Sequence, residues 1–165
     1  MRDPKTNSRW SLRNRQTRLL LYLAVLLGVI AWKFVPRPWH PTLTLETKHH
    51  TIYSTATRAQ TDDVAAALNQ LYTAYSNRFA PLPGFQTNHA RMQIKLIKDR
   101  AELRKINPGL GWAEAFYSKP YCRAYYSAEE INPYHWMLHE SVHQLNEEVA
   151  HLRLEKWLSG GWPNT

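Results

Sequence analysis

Near its C-terminal end the chain reads HWMLHESVHQLNEE, and three residues of that stretch have the types and spacing for hydrolytic chemistry. His139 and His143 are four apart, so on a helix they lie on one face a single turn from each other. Two neutral imidazoles so placed can share one Zn2+ at about 2.0–2.1 Å. Glu140 follows His139 directly and is turned about 100° round the helix, which sets it beside the ion rather than on it. From there its carboxylate can accept a proton from a water that the ion polarises, as that water attacks a carbonyl. The pattern is H-E-x-x-H. Met137, Leu138, Val142 and Leu145 interleave apolar residues with it, as an amphipathic helix requires. The competing reading is a helix that carries two solvated histidines. His40, His49, His50 and His89 are scattered along the chain and read as polar surface.

The elements that would hold this helix can be followed through the middle of the chain. His50 to Thr57, HTIYSTAT, is rich in β-branched and aromatic residues and predicts a strand. Thr61 can cap a helix with Asp62 and Asp63 in its first turn, and Val64, Leu68, Leu71, Tyr75 and Phe79 form its apolar face. PLPG ends it. Arg91 to Asp99 alternates Met92, Ile94 and Leu96 with Gln93, Lys95 and Lys98, a strand with one buried face. Asp99 caps a short helix, RAELRKI, that stops at Asn107. Tyr121 to Ser127 is a third strand, and the H-E-x-x-H helix starts near Pro133. The order β, α, β, α, β, α predicts an α+β domain with its chemistry on the last helix.

Charge places the other end of the chain. Of 165 residues with formal net charge +8, residues 1–37 hold eight Lys and Arg against Asp3, and the remainder holds thirteen against twelve acids. The excess therefore flanks LLLYLAVLLGVIAW, Leu19 to Trp32, a segment apolar on every side. Counted on to Val35, with Lys33 reaching outward, it comes to the lower limit for a membrane-spanning helix, about 17 residues. No small-x-small cleavage pattern follows, so an uncleaved signal anchor is expected. Six basic residues before Leu19 would hold the N-terminus in the cytoplasm. The expected divisions are a basic leader (1–18), a transmembrane anchor (19–35), a Pro-rich linker (36–48) and the α+β domain (49–165). Since the basic residues lie against the membrane, no nucleic-acid partner is expected. Cys122 is the single cysteine, which excludes an internal disulfide framework.

From Met92 to Gly161 the chain resembles bacterial membrane-anchored domains of the gluzincin, or peptidase-MA-like, group: a strand, then NPYHWMLHESVHQLNEEVAHLRLEKWLSGG. The resemblance implies a zincin-like fold, His139 and His143 as zinc ligands, and Glu140 as general base. It further implies a third ligand, a glutamate, in a later segment that Trp157, Leu158 and Gly161 match. That glutamate would stand at position 160, where this chain has Gly160. Three residues are candidates for the vacant role, Glu155 ahead of His151 and Glu147. A fourth reading is that the chain is a truncated product of a parent with glutamate at 160. The resemblance thus implies a zinc peptidase in a bacterial inner membrane, its domain on the periplasmic or extracellular side and a polypeptide as substrate. The alternative is a non-catalytic protein that binds or supports an envelope partner.

Overall fold

Cross-strand pairing, rather than length, defines the strands of the domain. The computed structural model describes residues 15–35, 38–110 and 112–152. They belong to two units, Met1–Pro36 and Arg37–Thr165. In the second, β1 (Leu43–Glu46), β2 (His50–Ser54), β3 (Met92–Ile97), β4 (Ala115–Ser118) and β5 (Tyr121–Tyr125) form one mixed sheet in the order β1-β2-β3-β5-β4. β2, β3 and β5 run parallel, and β1 and β4 close the two edges as antiparallel hairpin arms.

Ile52, Ile94, Leu96, Cys122 and Ala124 point to one face and are buried against α2 (Arg58–Phe79) and α4 (His135–Glu148), through Val64, Leu68 and Met137. The helix α3 (Arg100–Ile106) covers part of the other face, where Leu103 packs with Ile97 and Tyr125. An α+β domain is therefore what the chain forms.

Local chemistry set the boundaries, sometimes away from the expected residues. α2 begins a turn earlier than Thr61, because Thr57 and Gln60 make a reciprocal capping box: the Thr57 side chain accepts from the Gln60 N–H, and the Gln60 side chain accepts from the Thr57 N–H. Thr61 is buried inside the helix and donates to the Thr57 carbonyl at 2.8 Å. Asp99 does cap α3, accepting from the Glu102 N–H at 2.7 Å. The stretch expected as linker, 36–48, contains β1. β4 was not expected at all. α4 stops at Glu148 instead of running on toward Leu152: His151 turns into the left-handed region (φ 48°), and the Leu152 N–H closes back onto the Asn146 carbonyl at 2.8 Å.

The first unit contains α1 (Arg15–Phe34). Among the described residues no helix is long and apolar enough to cross a membrane.

Candidate metal centre

The three residues singled out by spacing do converge. The ligand atoms of His139, Glu140 and His143 all lie within 4.8 Å of one another, with His139 exposed and the other two half-buried. The imidazole rings stand edge to face, 71° apart, with centroids separated by 5.1 Å. Two nitrogens on one zinc lie at most about 4.2 Å apart, so a small turn of the side chains closes the pair on an ion. Two imidazoles and a carboxylate are also the donors that a borderline-soft divalent ion takes. This cluster could therefore bind a metal ion.

α4 holds the cluster outward because its other side is anchored. Met137, Ser141, Gln144 and Leu145 are buried, and Cys122 on β5 packs at 3.5 Å from the Met137 sulfur and 3.7 Å from Ser141 Oγ. Burial pushes the Cys122 thiol up to about 12, partly offset by the Ser141 hydrogen bond, so it is a packing group rather than a ligand.

The edge strand β4 fixes the glutamate. The Tyr117 backbone N–H, on the side of β4 not paired with β5, donates to Glu140 Oε2 at 2.8 Å. The same residue's phenol donates to Glu148 at 2.8 Å, two turns further along α4. Burial first, and then Glu148, push the Tyr117 hydroxyl well above its ordinary range, so it stays a donor. Gln144 ties the hairpin turn to the same carboxylate, donating to the Pro120 carbonyl and to Glu148 at 3.2 Å each. β4 is thus clamped along α4 with Glu140 at one end of the clamp.

The candidates for a third ligand lie elsewhere or outside the described residues. Glu147 is exposed and faces Lys119 at 3.5 Å rather than the histidines. His151 is exposed beyond the helix end. Glu155 and Gly160 fall outside the described residues.

Sequence reasoning missed Tyr117 and Glu148 altogether, and also His135. His135 stands one turn before His139 on α4, with its Nδ1 at 2.9 Å from Glu130 and from the Asn132 carbonyl. The repeat 135, 139, 143 was a visible signal; a backbone donor such as Tyr117 N–H leaves none.

Of the histidines expected as scattered surface, His40 is exposed, but the other three are gathered rather than scattered. His49, His50 and His89 gather around Tyr72 of α2: His49 stacks on its ring at 3.7 Å, His50 meets it edge-on, and His89 Nε2 lies 2.9 Å from its hydroxyl. His50 is 1% exposed, with its Nδ1 lacking a hydrogen-bond partner. Compared with known proteins, the chain matches no family model and no curated sequence.

Proposed function

We propose that this chain is a zinc-dependent, zincin-like hydrolase of the gluzincin type that cleaves polypeptides, with His139 and His143 as metal ligands and Glu140 as the general base. The observation that supports it is the convergence of these three side chains beside the edge strand β4. Zinc bound there would lower the pKa of a coordinated water and polarise the scissile carbonyl. The chain's own groups supply the rest. The Tyr117 N–H fixes Glu140 by one oxygen and leaves the other to take the proton. The outer side of β4 offers main-chain groups with which an extended peptide can pair.

Seating in a membrane belongs to the same reading. Every large apolar side chain of α1 from Leu19 to Trp32 is at least 44% exposed, a surface that lipid would cover. Counted on to Val35 the segment reaches the lower limit for a spanning helix. On this reading the basic leader faces the cytoplasm of a bacterial inner membrane and the domain the other side. A reporter fused after Thr165 gives an export-dependent signal on this reading, and a cytoplasmic signal refutes it.

One observation favours a second reading. A Glu140 carboxylate oxygen lies within 4.8 Å of both imidazoles, so it can complete a closed, non-catalytic site as the third ligand, in an envelope binding or structural protein. Glu140→Gln separates the two. With Glu140 as base, the variant keeps its zinc and loses hydrolysis of a denatured-protein substrate; with Glu140 as ligand, it loses the zinc itself.

A further inference from the structure

Alternation in the central strands leaves a second polar site on the sheet face turned away from α4. Since Ile94, Leu96, Cys122 and Ala124 point into the core, their neighbours Lys95 on β3 and Arg123 on β5 point to the opposite face. The two are register partners on adjacent parallel strands, so two cations stand side by side. Three aromatic rings carry them. Lys95 Nζ lies 4.0 Å from the centroid of Tyr121 and 5.4 Å from that of Trp39. Arg123 Cζ lies 5.1 Å from the same Tyr121 ring and 5.1 Å from Phe116.

The anomaly is the missing counter-charge. Among the described residues Arg91 pairs with Glu46, Arg100 with Glu114, Arg58 with Asp62 and Lys119 with Glu147. Among the described residues Lys95 and Arg123 pair with no carboxylate, and unlike Lys98 and Arg104, which also pair with none, they are not exposed. Arg123 has only the Ser118 and Tyr121 carbonyls, each at 3.4 Å. Both are half-buried. Burial lowers the basicity of each, and for Lys95 the neighbouring guanidinium lowers it further. Like charges brought together and partly desolvated are unfavourable unless an anion compensates them.

We propose that Lys95 and Arg123 form an oxyanion site, and that its ligand is the phosphate group of a small soluble molecule. The two charged heads reach the same Tyr121 ring from 4.0 and 5.1 Å, so they lie at most about 9 Å apart. A tetrahedral oxyanion can bridge that span with charge-assisted hydrogen bonds of about 2.8 Å on each side. The guanidinium supplies a planar fork and the ammonium a point charge, a combination suited to phosphate. The rings buttress the cations rather than offer open platforms for bases, which argues for a compact anion over a stacked nucleic acid.

The test is titration of the full-length chain, in neutral detergent, with inorganic phosphate at constant ionic strength. Calorimetry and thermal unfolding are followed for the wild type, Lys95→Gln, Arg123→Gln and, as a control, Lys98→Gln. The expected result is saturable binding with a rise in Tm for the wild type and the control. Each site variant loses at least about tenfold in affinity, as removal of a charged hydrogen bond predicts. Without phosphate, Lys95→Gln melts at or above the wild-type temperature, since it removes a like-charge repulsion. A fall in Tm for Lys95→Gln, with a phosphate response no different from chloride, would show a purely structural cation–aromatic stack and overturn the site. Binding to nanodiscs of an acidic lipid with no response to free phosphate would overturn the soluble ligand.

Discussion

Two groups of histidines show how differently one side chain can be used in the same small domain. His139 and His143 project from α4 with Glu140, their ring nitrogens turned toward a common point. His49, His50 and His89 are spent on Tyr72: one stacks on it, one meets it edge-on, and one lies at hydrogen-bond distance from its hydroxyl. The first group comes from one helix, whose backbone fixes the spacing whatever surrounds it. The second is assembled from β2, the turn before it and the loop before β3. Convergent donors left open could hold an ion; rings consumed by packing are a core.

The sharpest way to break this comparison is at Glu140. Glu140→Gln should reduce hydrolysis by about 10²–10⁴-fold, the usual contribution of a general base, while zinc content stays unchanged. Activity that survives the change would remove Glu140 from the chemistry.

The packing group is tested by pH. Burial first, and His49 next, push His50 down to about 4 from 6.5, so the unfolded chain binds the proton more readily than the folded one. The stability due to neutral His50 is complete above pH 6.5 and is lost as pH falls from 6.5 toward 4. At pH 5 the loss relative to pH 7 should be about 2 kcal/mol. Urea unfolding at the two pH values measures it, and His50→Leu should flatten the difference. An equal slope in wild type and variant would show that His50 is not the titrating group.

A smaller effect is expected at the clamp between β4 and α4. Tyr117→Phe removes the phenol bond to Glu148 but leaves the N–H that holds Glu140. It should cost about 1 kcal/mol in unfolding free energy and leave hydrolysis within a few-fold. A loss of activity as large as that of Glu140→Gln would mean that the side chain, not the backbone, positions the base.

Legibility from the sequence followed the length of the pattern. The α4 helix, the β3 strand with Met92, Ile94 and Leu96 inward, and the Asp99 cap could be read because each repeats over several residues or has one local cause. β1 and β4 are four residues each, too short for a period to stand out. The start of α2 was misplaced because Thr61 with Asp62 and Asp63 outweighed Thr57-x-x-Gln60, a signature equally present. His50 could have been read as buried, being two residues from Ile52 on a strand and therefore on the same face. The partners of Glu140 could not, since a main-chain donor on a neighbouring strand is set by register alone. The lone pair of cations at Lys95 and Arg123 was likewise invisible until β3 and β5 were placed side by side.

The most direct test of the metal centre is zinc per protein, by elemental analysis of the full-length chain beside His139→Ala and His143→Ala. One zinc that resists dialysis in the wild type and is lost in both variants is the predicted result. No zinc, or the same trace in all three proteins, would contradict it and leave the H-E-x-x-H stretch as an ordinary helix.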